Sequence, residues 1–178
     1  MKIFINPGHD TTYDSGAVNA NGTRECDVAL SIGTLVKGYL EKVGYEVKLL
    51  QSDNLYYDSD HDLPCVCQTA NDWGADYFVS IHCNAANTEA RGTEVEVYSY
   101  ESDSVKLAQC IDSQIVNSLG TVDRGVKEMP GLIVMKHTDM PAVLVETAFI
   151  DNDDDCELLV NKQDDFARAI ARGITDAV

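Results

Sequence analysis

His9, Glu25, His82 and Glu146 are the residues of this chain whose types and surroundings could do chemistry together. Two imidazoles and one carboxylate form a known ligand set for a catalytic zinc ion, which takes three protein ligands and keeps a fourth position open. A further carboxylate beside such an ion can act as general base. Each residue also has an ordinary reading. His9, after Pro7-Gly8, fits a loop histidine, and His82 fits a core histidine bonded to backbone. Glu25 fits a first-turn helix carboxylate favoured by the dipole. Glu146 fits a salt-bridged residue at a strand end. The compact His-Glu-x-x-His signature is absent. Glu146 strengthens the joint reading: it follows Val143-Leu144-Val145, where a carboxylate is costly to bury unless it is paired or active.

Three apolar runs deliver these groups. Tyr77 to Asn84 reads as a strand covered on both faces, and His82 sits where it runs out. Lys2 to Asn6 runs out into Pro7-Gly8-His9, and Ala142 to Val145 into Glu146. In an open α/β sheet the carboxyl ends of parallel strands face a common crevice.

Between these strands, apolar residues recur at helical spacing from Val28 to Val43, with Gly44 as the stop. The polar loop from His9 to Arg24 has the length of a functional loop. Tyr45 to Leu50 reads as a strand, Gln51 to Asp62 as a loop, and Pro64 to Trp73 as a short helix ended by Gly74. Thr93 to Tyr98 alternates strictly, which predicts a strand with one wet face near an edge. Leu107 to Leu119 reads as a helix stopped by Gly120, and Leu132 to Met135 as a strand. Leu158 to Val160 marks a short helix and Phe166 to Ile174 the closing one. The expected fold is α/β: a single domain, 1–178, with a twisted, mostly parallel or mixed sheet and helices on both faces.

The net charge of −17 argues against phosphate-mediated nucleic-acid binding and against docking on an anionic membrane. The six cysteines are scattered, so most read as free thiols of a chain made in a reducing compartment. Cys65-x-Cys67 is too close for a zinc knuckle and reads as helical, with one thiol buried. No nucleophile elbow, phosphate-binding loop or dinucleotide fingerprint is present. His61 reads as surface, and His137 reaches weakly toward the crevice. No secretory signal and no membrane-length apolar run is visible.

Several segments together resemble one family. They are Ile5-Asn6-Pro7-Gly8-His9, the Glu25 helix start, Ser80-Ile81-His82-Cys83-Asn84-Ala85 and Val143-Leu144-Val145-Glu146-Thr147-Ala148-Phe149. The chain resembles the zinc-dependent N-acetylmuramoyl-L-alanine amidases of the amidase_3 type, found in bacterial autolysins and phage endolysins, from its first strand to its final helix. The resemblance implies that His9, Glu25 and His82 bind one zinc ion and that Glu146 is catalytic. It implies cleavage of the amide between the lactyl group of N-acetylmuramate and the stem-peptide L-alanine, with peptidoglycan as partner. Gly8-His9-Asp10-Thr11 departs from the family's frequent Gly-His-Gly-Gly, and Cys65 to Asn71 lacks an arginine often found there. Asn6, Asp10 and Asn84 are the sequence neighbours available to orient the histidines. Rival readings are a zinc peptidase or deacetylase on the same site, or a module that holds muropeptide without cutting it. The expected location is synthesis in the cytoplasm and action on the wall after release by holin or lysis, or as a domain of a larger protein.

Overall fold

The computed structural model describes all residues from Met1 to Val178. Six strands form one sheet in the order β2-β1-β3-β6-β4-β5. They are β1 (Lys2–Pro7), β2 (Glu46–Leu49), β3 (Tyr77–Asn84), β4 (Thr93–Val97), β5 (Asp123–Glu128) and β6 (Ala142–Phe149). Every pairing is parallel except β4 with β6. The mixed sheet and its helices match the expected α/β class.

The period-2 alternation of the strands divides the core. One face carries Ile3, Ile5, Val79, Ile81, Val95, Val143 and Val145, all without exposure. They meet α1 (Glu25–Lys42), α3 (Ser104–Leu119) and α6 (Gln163–Ala177) in a single cluster of 29 buried residues. The other face carries Phe4, Phe78, Ala142 and Leu144 under α2 (Val66–Trp73) and α4 (Ile133–Lys136). α5 (Asp153–Asn161) leads into α6. Burial of each large aliphatic side chain contributes about 1.5–3 kcal/mol, so the larger cluster carries most of the fold's stability.

Helix ends follow the expected punctuation. Gly74 and Gly120 cap α2 and α3 in the left-handed region, at φ 66° and 68°. Gly44, just past α1, has φ 92° and donates its N–H back to the Glu41 carbonyl.

The structure corrects three elements. Leu132 to Met135 is not a strand: Ile133–Lys136 is a single helical turn whose Val134 and Met135 fill the smaller core cluster. A short apolar run has no period of its own and takes the conformation that its packing demands. Thr93–Val97 has no wet face, because all of its residues are buried. Asp123–Glu128, which has no apolar signature, forms the edge strand in its place and covers β4. Cys65 and Cys67 are both buried, and only Cys67 lies within α2; all six cysteines are free.

Candidate active site

On the α2 side of the sheet the apolar layer stops before the strands do. Above Phe78 and Ala142 the same face continues with Asn6, Ser80, His82, Glu146 and Glu94. His82 and Glu146 are register partners across the parallel β3–β6 pair, so their side chains project side by side. Glu94 is the antiparallel partner of Glu146 across β4–β6.

Glu25 opens α1 and is almost fully buried. Its Oε1 accepts from His82 Nδ1 at 2.9 Å and from the Cys83 N–H at 3.0 Å. Its Oε2 accepts from the Ala17 N–H at 2.9 Å and lies 3.1 Å from His9 Nε2. Burial opposes ionisation of Glu25, but the hydrogen bonds and charges of His82 and His9 outweigh it and hold the carboxyl well below the usual range. Burial likewise works against the His9 imidazolium. Glu25 and Asp14 prevail and push its pKa up to about 9.

The ligand atoms of His9, Glu25 and His82 all lie within 4.8 Å of one another. Two imidazoles and one ionised carboxylate at that spacing fit a divalent cation of the zinc type. Asp14 Oδ2 lies 2.7 Å from His9 Nδ1, on the far side of the ring from Glu25. A carboxylate in this position fixes the ring and leaves Nε2 turned toward the cluster.

Two glycines make room for the cluster. A Cβ on Gly8 would lie 2.3 Å from His82 Cε1, and one on Gly16 would lie 2.5 Å from His9 Cδ2 and 2.6 Å from Glu25 Oε2. His9 itself has φ 64°, a left-handed conformation that costs a non-glycine residue about 1–3 kcal/mol unless its surroundings impose it.

Glu146 is half-buried, and its Oε2 is sealed from solvent with no hydrogen-bond partner. Burial raises its pKa well above the usual range, and the charges of Glu25, Glu96 and Glu94 add to the effect. A carboxyl with high proton affinity beside a ligand cluster suits proton transfer.

Residues 3–176 match the N-acetylmuramoyl-L-alanine amidase family, Amidase_3. The chain belongs to this amidase family. It is 36% identical to the N-acetylmuramoyl-L-alanine amidase CwlM of Bacillus licheniformis over 97% of its own length and 65% of that protein's. It is 34% identical to an endolysin of Bacillus phage SPP1 over 99% of its length and 64% of the endolysin's. The chain thus spans a little under two thirds of these two relatives. Its fold superposes on N-acetylmuramoyl-L-alanine amidase AmiC2 of Nostoc punctiforme with a TM-score of 0.86 at 31% identity, covering 99% of this chain and 96% of that one.

The amidase-family chain brings His9, Glu25, His82 and Glu146 to one end of the sheet. The partners that orient them differ from those nearest in sequence. Asp14, not Asp10, holds His9, while Asp10 Oδ1 accepts from the N–H groups of Thr12 and Tyr13. Asn6 bonds Ser80 and the Leu50 carbonyl. Asn84 reaches Glu94 at 2.8 Å. His61 is not free surface: it lies 2.7 Å from Asp53 and stacks on Tyr13 at 3.7 Å. His137 stacks on Tyr56 at 3.9 Å. Glu94 carries no signal in the sequence, because an alternating strand does not show which residues it will face.

Proposed function

We propose that this chain is a zinc-dependent N-acetylmuramoyl-L-alanine amidase domain, spanning 1–178, that hydrolyses the amide joining N-acetylmuramic acid to the L-alanine of the peptidoglycan stem peptide. The observation that carries the reading is the convergence of the His9, Glu25 and His82 donor atoms within 4.8 Å, with Glu146 beside His82 in the sheet register. Zinc held by these three residues would supply Lewis acidity, which lowers the pKa of a water molecule and polarises the scissile carbonyl.

The chain's own groups do the rest. His9 is held in orientation by Asp14, and Glu25 is fixed by two backbone N–H groups, so the donors are preorganised. Glu146 takes the proton of the attacking water and passes it to the leaving nitrogen. Its burial and its acidic neighbours Glu25, Glu96 and Glu94 raise its proton affinity, which favours the first of these transfers. Peptidoglycan is the partner. Action at the cell wall is supported by the amidase and endolysin relatives. No helix is long and apolar enough to cross a membrane.

Metal analysis followed by turbidity of a cell-wall suspension tests the proposal. The expected result is one zinc per chain, clearance, and release of free L-alanine amino ends. New reducing ends would indicate a glycosidase instead. Cleavage elsewhere in the peptide, or at N-acetyl groups, would indicate a peptidase or deacetylase. Binding without clearance would leave only a muropeptide-binding module.

A further inference from the structure

We propose that Arg124 is an anchor for a carboxylate of the peptide ligand, two strands away from Glu146 with β4 between them; this rests on the amidase reading above. Arg124 stands at the start of β5. Because β4 and β5 run opposite to β6, the starts of these two strands lie at the same end of the sheet as Glu146. Glu94 is opposite Glu146, and such cross-strand pairs have Cβ atoms roughly 4.5–5.5 Å apart. Arg124 binds that same Glu94 from the far side, its Nε donating to Oε2 at 2.8 Å.

The guanidinium is held at two places. Its central carbon lies 4.9 Å from the centroid of the Phe149 ring, and Nε is tied to Glu94. Glu94 is itself fixed by Asn84, whose Nδ2 donates to Oε1 at 2.8 Å. Asn84 ends β3, the strand that carries His82. An unbroken chain of contacts therefore runs from the ligand-bearing strand to the guanidinium.

Only one of the guanidinium's five N–H donors is spent inside the protein. Neither terminal nitrogen donates to a protein acceptor, and the side chain keeps 36% of its exposure. A planar group with free parallel donors binds a carboxylate through two hydrogen bonds at once. The chemistry of the surroundings favours that use. Glu25, Glu94, Glu96 and Glu146 make this end of the face acidic, in a chain of net charge −17. Beside these acids Arg124 offers the free guanidinium donors that can receive a peptide carboxylate.

The test compares two soluble muramoyl-L-alanyl peptides, one ending in a carboxylate and one in a carboxamide, cleaved by the zinc-loaded protein. The parent should prefer the carboxylate by about tenfold in kcat/KM, carried by KM, which is the margin of a charge-assisted over a neutral hydrogen bond. Arg124→Gln should erase that preference. Loss of Arg124 also strands the Glu94 carboxylate, so the double variant Glu94→Gln/Arg124→Gln relieves that strain and should likewise show no preference. A ratio between substrates does not respond to a general loss of fold or zinc, which separates anchoring from mere neutralisation of Glu94. Equal cleavage of both peptides by the parent, or a preference that survives in either variant, overturns the anchor and leaves the amidase reading standing. Cleavage of neither peptide by the parent overturns both.

Discussion

Glu146, half-buried, and Glu25, almost fully buried, are acids at the same end of the sheet, yet their environments push them apart. Glu25 is surrounded by donors and stays ionised; Glu146 has a sealed, unpartnered oxygen and acidic neighbours. A ligand needs the first environment and a proton carrier the second. Glu146→Gln should therefore keep zinc and the fold while turnover falls by roughly 10²- to 10⁴-fold, the usual worth of general-base catalysis. Glu25→Gln should lose zinc and activity together, because it replaces an anionic ligand by a neutral one. Zinc content and cell-wall clearance, measured on the same preparations, check both. Near-parental clearance by zinc-loaded Glu146→Gln would return Glu146 to a structural role.

At the scale of elements, the larger core cluster depends on how closely α3 and α6 pack behind the sheet. Gly173 of α6 faces Ile111 of α3, and a Cβ there would lie 2.5 Å from the Ile111 Cα and 2.8 Å from its backbone nitrogen. Backbone cannot swing aside as a flexible side chain can. Gly173→Ala should destabilise the protein by about 1–3 kcal/mol, the usual cost of overpacking, despite alanine's better helix propensity. Denaturant unfolding of parent and variant measures it; a stabilised variant would mean that the helices can separate at no cost. Ile111 and Gly173 lie far apart in the chain, and no periodicity reveals that these two meet. The same reason explains the short turn at Ile133–Lys136, where contact with the smaller core decides a conformation that the local sequence leaves open.

Across the whole molecule, the excess of acidic residues reaches into the interior. Asp112 of α3 is buried with Oδ1 unpartnered; burial and the adjacent Asp123 push its pKa up to about 7. The folded chain thus keeps this proton to higher pH than the unfolded chain, whose Asp releases it near 3.8. Stability from this group is present below about pH 4 and is lost as pH rises through about 7. Asp112→Asn cannot lose the proton. Its advantage over the parent should grow by on the order of 4 kcal/mol between pH 4 and pH 8. Thermal unfolding of both proteins at the two pH values checks the sign, and an advantage that shrinks with pH would refute it.

The sequence by itself determined the α/β class, the helices stopped at Gly44, Gly74 and Gly120, and the three strands that end at the site, and it singled out His9, Glu25, His82 and Glu146, for which we propose metal and proton chemistry. These are local properties: periodicity, punctuation and the cost of a carboxylate after an aliphatic run. Tertiary structure alone decided that Asp14 holds His9, that Glu94 and Glu96 are buried rather than wet, and that an unmarked polar hexapeptide closes the sheet. The reason is that strand order and register, not sequence distance, choose neighbours. The register β3–β6–β4 sets His82, Glu146 and Glu94 side by side although 52 residues separate Glu94 from Glu146 in the chain.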